Sequence, residues 1–171
     1  MSSLTKVGAL LAMLALGACS NSGIFGLDDT LGDGTGATGE YAEGSPDDPR
    51  SIAHFQERVG DRVLFAVDQS SLTSDGELVL LGQANWLLEN SAYKAVIEGH
   101  ADEQGTREYN LALGARRASA VKEYLVSRGV ASNRLTTVSY GKERPLEVCS
   151  AEACYAQNRR AVTVLQADLN F

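Results

Sequence analysis

Lys94-Ala95-Val96-Ile97-Glu98-Gly99-His100 reads as a strand, and residues 101–107 after it form a polar loop. A helical pattern then runs over 108–128 and is closed by Gly129. This strand, loop and long helix decide the fold, because a strand feeding a helix of that length is half of a β-α-β unit. Gly99, next to the strand's end, lets the backbone come close to whatever packs on it.

The same alternation extends in both directions. Upstream, Arg62-Val63-Leu64-Phe65-Ala66-Val67 is apolar almost throughout and is expected to be a strand covered on both faces. Ser74-Asp75-Gly76-Glu77 supplies a helix start with acidic residues in the first turn. Leu80, Leu81, Ala84, Leu87 and Leu88 then recur at helical spacing, and Trp86 is read as core. Downstream, residues 134–140 and 160–167 read as a third and a fourth strand. The loop 141–158 lies between them, with a short helix near 151–157. The order βαβαβ(α)β predicts an α/β two-layer sandwich with the helices packed on one sheet.

The chain has 171 residues, 15 basic and 22 acidic, for a net charge of −7. That balance argues against nucleic acid as a partner. Two histidines and three cysteines leave little material for a metal site, and no cofactor is expected. The first residues read as an address. Lys6 precedes the apolar run 7–16, which is too short to span a bilayer and has the form of a secretory signal. The run ends in Leu16-Gly17-Ala18-Cys19, which resembles a bacterial lipobox. Cleavage of residues 1–18 and acylation of Cys19 are expected, with Ser20 favouring the outer membrane; the alternative is an ordinary signal with an incidental cysteine. Residues 19–50 are expected to form a lipidated tether. Between 20 and 50 there are seven glycines and seven acidic residues against one basic residue, too little apolar surface to fold alone. Such a tether averages roughly 30 Å end to end and reaches about 100 Å when stretched. Residues 51–171 are expected to form the domain, with a net charge of only −2.

On a helical wheel, Leu113, Ala120, Val121, Tyr124 and Leu125 form the apolar stripe of the long helix, and Arg117 falls inside it. A guanidinium facing the core needs a partner to offset its desolvation. Asp102 in the preceding loop and Asp68 after the first strand are the candidates, both at strand C-terminal ends, where open α/β sheets place clefts. An internal Asp–Arg bridge and a cleft for a zwitterionic ligand are both compatible with this placement.

Gly99-His100-Ala101-Asp102-Glu103-Gln104-Gly105-Thr106, Glu108-Tyr109-Asn110-Leu111 and Leu113-Gly114-Ala115-Arg116-Arg117-Ala118 together resemble the signature of the OmpA-like peptidoglycan-binding domain family. Val138-Ser139-Tyr140-Gly141-Lys142-Glu143-Arg144-Pro145 and Asn158-Arg159-Arg160-Ala161-Val162 continue the likeness, which covers about 60–167. The resemblance implies a mixed four-stranded sheet and no enzymatic activity. It also implies that the domain binds the diaminopimelate-containing stem peptide of peptidoglycan without cutting it, from the outer membrane and facing the periplasm. TolB and other Tol-system proteins are the implied partners, and a module serving mainly TolB is the alternative reading. By position, Asp102 and Arg117 match the family's central ligand pair. Asp68 matches the acid after the first strand, and Phe65, Asn110 and Leu113 match further contacts. Ala66 and Gln69-Ser70-Ser71 depart from the family's more charged pattern at the pocket rim.

Cys149 and Cys154 are close enough in a turning loop to be expected as a disulfide in an oxidising compartment. His100 is read as strand-end packing rather than a zinc ligand. Asp102 and Glu103 are neighbours in one loop and cannot flank a glycosidic bond. Arg159-Arg160 is read as a solvated strand start.

Overall fold

The computed structural model describes residues 41–167. The expected signal, Cys19 and most of the tether lie outside the described residues. Four strands form one sheet in the order β1-β4-β2-β3: β1 (Arg62–Leu64), β2 (Tyr93–His100), β3 (Leu135–Gly141) and β4 (Arg160–Ala167). β2 and β3 are parallel, whereas β4 is antiparallel to both β1 and β2, so the sheet is mixed. The helices are α1 (Ile52–His54), continued by a π-helical turn over Phe55–Gly60, then α2 (Ser74–Glu89), α3 (Arg107–Ser127) and α4 (Glu152–Asn158).

Local chemistry fixes the helix starts. The Thr73 hydroxyl accepts from the Gly76 amide at 3.1 Å, and the Thr106 hydroxyl accepts from the Tyr109 amide at 3.2 Å. Each satisfies a donor that the first helical turn leaves unpaired. The core gathers Phe55, Val63, Leu80, Ala84, Leu87, Ile97, Val121, Leu125 and Leu135 between α2, α3 and the sheet, with Trp86 among them. β2 shows why one face dominates: Ala95, Ile97 and Gly99 are buried, while Val96 and Glu98 on the opposite face are only half-buried.

Three details differ from the sequence reading. β1 is three residues long and alternates exposed, buried, exposed, so it is covered on one face rather than two. It sits at the sheet edge, where α2 covers only the side carrying Val63. Leu88 is 47% exposed rather than part of the apolar stripe, because neighbouring Leu87 already occupies the inward direction. The packed chain also reaches back past Ser51. The Trp86 indole donates to the Pro49 carbonyl at 2.7 Å, and the Tyr93 hydroxyl donates to the Arg50 carbonyl at 3.0 Å. Phe55, Trp86 and Tyr93 pack in series as tilted rings with centroids 5.0 and 5.2 Å apart, which helps hold this entry segment on the domain.

α3 and β2 approach each other closely through two glycines. A Cβ on Gly99 would lie 1.8 Å from the Gly114 carbonyl oxygen, and a Cβ on Gly114 would lie 2.8 Å from the Gly99 oxygen. Both contacts are backbone, so no side chain can yield to relieve them. Gly99→Ala is therefore expected to destabilise the fold by about 3 kcal/mol, seen as a lower urea midpoint with little change in slope.

Candidate functional site

α3 begins beside the C-terminal end of β2, and its inward face carries Asn110, Leu113 and Arg117. Arg117 is fully buried, as the wheel requires. Its guanidinium is bound to backbone oxygens: Nε donates to Gln69 at 2.8 Å, Nη1 to His100 at 2.8 Å and Nη2 to Ala66 at 3.2 Å. The Phe65 ring lies 5.2 Å from its central carbon. Of five N–H groups, one on each terminal nitrogen has no acceptor among the described residues. Burial pulls the Arg117 pKa down to about 10, partly opposed by the negative charges of Asp102 and Asp68, so the side chain stays cationic at neutral pH.

The expected direct bridge from Arg117 to Asp102 is not the one formed. Asp102 is 8% exposed and pairs with Arg159, whose Nη1 donates to Oδ2 at 3.2 Å; its Oδ1 accepts from the Gln104 amide at 3.2 Å. The reading of Arg159-Arg160 as a solvated pair is corrected with it, since the two residues are only 5% and 7% exposed. The cause is topological: β4 is an interior strand, so its first residues start under the loops rather than at the rim. Arg159 also donates from Nε to the Phe65 carbonyl at 3.2 Å and from Nη2 to Glu152. Burial alone would lower its pKa, but the Glu152 and Asp102 carboxylates outweigh that and raise it. An arginine opening a strand gives no sequence signal of this role, because Asp102 and Phe65 lie 57 and 94 residues away.

Asp68 stands at the end of the turn after β1 and, at φ 58°, is the one non-glycine with positive φ among the described residues. Aspartate tolerates that conformation better than most residues. Its carboxylate accepts from the Tyr109 hydroxyl, and this hydrogen bond raises the phenol pKa. Tyr109 is 44% exposed, and the sequence reading did not assign it to the site. Asn110 is buried and donates to the Gln104 carbonyl at 2.7 Å, which pins the loop that carries Asp102.

These residues surround a cleft of about 200 Å³ lined by Val67, Asp68, Asp102, Gln104, Gly105, Tyr109, Asn110 and Leu113. Asp68, Asp102, Asn110 and Leu113 therefore come together as expected. Phe65 is 4% exposed and sits under Arg117 rather than in the lining. Two carboxylates at the wall with a buried guanidinium behind them can hold an ammonium directly and attract a carboxylate at longer range. Among the described residues, no group of three or more His, Cys, Asp or Glu side chains is placed to hold a metal ion.

Residues 64–159 match the OmpA family model. The chain is 50% identical over 158 residues to the peptidoglycan-associated lipoprotein of Mesorhizobium japonicum, spanning 92% of this chain and 89% of that protein. It is 51% identical over 157 residues to the protein of the same name from Rhizobium meliloti, spanning 92% and 85%. The chain belongs to the peptidoglycan-associated lipoproteins of the OmpA family. Among solved structures, the peptidoglycan-associated lipoprotein from Burkholderia pseudomallei superposes with a TM-score of 0.63 at 38% identity, over 71% of this chain and all of that one. The C-terminal domain of Helicobacter pylori MotB, with a TM-score of 0.59 and 22% identity over 64% and 87%, shares the fold. As a peptidoglycan-associated lipoprotein the chain is a structural component of the cell envelope, not an enzyme.

His100 lies behind this site, 2% exposed, with its ring 5.6 Å from that of Tyr140; neither ring nitrogen is hydrogen-bonded among the described residues, and the Glu98 carboxylate stands 3.6 Å from Nε2. Burial, then the charges of Arg160 and Arg144, lower its pKa to about 4. The native state therefore disfavours a proton that the unfolded chain accepts near the ordinary histidine value. The stability due to this neutral ring is complete above about pH 6.5 and is lost as pH falls towards 4, by about 3 kcal/mol. Urea unfolding of the wild type should weaken across this window by more than that of His100→Gln, and equal slopes would refute the assignment.

Proposed function

We propose that this lipoprotein is held in the outer membrane by acyl chains on Cys19 after removal of residues 1–18. Its domain, 51–171, then faces the periplasm at the end of the tether 19–50. There it binds the diaminopimelate-containing stem peptide of peptidoglycan non-covalently and links membrane to wall, as part of the Tol system. Two or more acyl chains suit such a load, since one chain binds membranes only reversibly. The observation that carries the reading is the pairing of Asp68 and Asp102 in one small cleft with the Arg117 cation behind it. The distal end of diaminopimelate bears one ammonium and one carboxylate. The two aspartates take the ammonium, and the carboxylate is drawn towards Arg117 and the N–H that each of its terminal nitrogens keeps. Asn110 and Leu113 shape the wall, and Phe65 supports Arg117 from below.

A second surface supports a protein partner such as TolB. A groove of about 410 Å³ runs beside the cleft between α3 and β3, lined by Arg107, Glu108, Leu111, Ser139, Tyr140 and Glu143. Leu111 there is 49% exposed.

Co-sedimentation with purified sacculi tests the first reading. The purified chain should pellet, while Asp68→Asn, Asp102→Asn and Arg117→Lys should each bind about tenfold more weakly or worse. Circular dichroism checks that each variant remains folded. Equal pelleting of all four would place the ligand elsewhere. If the wild type stays in solution but binds TolB, the chain serves chiefly as a Tol-partner module. TolB binding retained by Asp102→Asn would separate the two surfaces.

A further inference from the structure

The Cys149–Cys154 disulfide lies in the segment between β3 and β4. The two cysteines are bonded with Cα atoms 6.0 Å apart, and they enclose Glu152, the first residue of α4. The Glu152 side chain is 65% exposed, yet its carboxylate meets Arg159 Nη2, the far prong of the guanidinium whose other prong holds Asp102. The last residue of α4, Asn158, donates to Glu103 Oε1 at 3.0 Å and accepts from the Leu146 and Glu147 amides at 2.7 and 3.0 Å. The loop 142–158 is thus fastened to the Asp102 loop at both ends of α4. Without Glu152, Arg159 would face Asp102 as its only carboxylate, and that paired charge would compete with any ammonium. With Glu152 in place, the Arg159 guanidinium is shared between two carboxylates, so Asp102 is only partly neutralised by it.

We propose that Glu152 and Arg159 are positioning residues for the ammonium-binding half of the cleft, with the Cys149–Cys154 bond holding Glu152 at its post. Arg159 fixes the orientation of Asp102. Glu152 neutralises Arg159, so that Asp102 still presents negative charge to the ligand. The disulfide closes the turn that carries Glu152 and so limits how far it can move from Arg159. This rests on the stem-peptide reading of the cleft.

Two soluble probes separate this role from general support: a stem peptide ending in diaminopimelate, and the same peptide with the distal amino group replaced by hydrogen. Glu152→Gln should bind the first about five- to tenfold more weakly and the second as the wild type does, with an unchanged unfolding midpoint. Cys149→Ser/Cys154→Ser should show the same selective loss. Combining it with Glu152→Gln should add little, because both act through one contact. Glu152 is largely exposed, so its variant remains informative even if the serine pair unfolds. Equal weakening for both peptides, or none for either, would overturn the inference. Asp102→Asn serves as the control for the underlying reading: if it binds the diaminopimelate peptide as tightly as wild type, the cleft assignment itself fails. If Asp102→Asn loses binding while Glu152→Gln does not, the cleft stands and Glu152 does not act on it.

Discussion

The buried guanidinium of Arg117 is the constraint around which the rest of the site is arranged. It ties together backbone from the segment after β1, through Ala66 and Gln69, and from the end of β2, through His100. Desolvating such a group is costly unless its donors are engaged, and three charge-assisted hydrogen bonds to carbonyls offset that cost. What it adds is position. The turn that ends in Asp68 and the loop that begins with Asp102 are tied to one helix through the same cation. An apolar residue at 117 could fill the space but could not tie these three carbonyls together, and the buried His100 carbonyl would lose this donor.

That division explains which parts of the molecule were legible in the sequence. β4 was expected over 160–167 and runs from Arg160 to Ala167, and α2 starts at the expected Ser74. Periodicity and capping residues carry such information locally. α3 begins one residue before the expected start because the Thr106 cap, not the first acidic residue, sets its first turn. The burial of Arg117 was equally readable, since its angle on the wheel follows from the apolar residues around it. Its partners were not. Periodicity shows that a cation points inward but not whether a carboxylate or a carbonyl meets it, and at this position carbonyls 48 and 51 residues away do.

Arg159 was misread for the complementary reason. At the start of a strand an arginine is ordinarily solvated, and nothing within its own segment contradicts that. Its burial follows from strand order, with β4 between β1 and β2, so that the loop bearing Asp102 closes over its first residues. The same order makes β1 an edge strand and leaves Leu64 41% exposed, although its run of apolar residues had pointed to cover on both faces. Strand order depends on pairings among distant segments, and it is the level at which local patterns stop being informative.

The arrangement of the site follows from placing like charges close together without losing either. Asp68 and Asp102 would each be easier to accommodate with a cation in direct contact, yet a carboxylate wholly engaged by a protein cation has little left for a ligand ammonium. The structure resolves this by degrees of contact. Arg117 lies near both acids but directs three of its five donors to carbonyls. Arg159 touches Asp102 but is shared with Glu152, and Asp68 is held by the neutral Tyr109 hydroxyl. Each acid is therefore oriented by the protein and only partly neutralised. The proposed capture of an ammonium rests on that property, two carboxylates held in place while each keeps part of its charge.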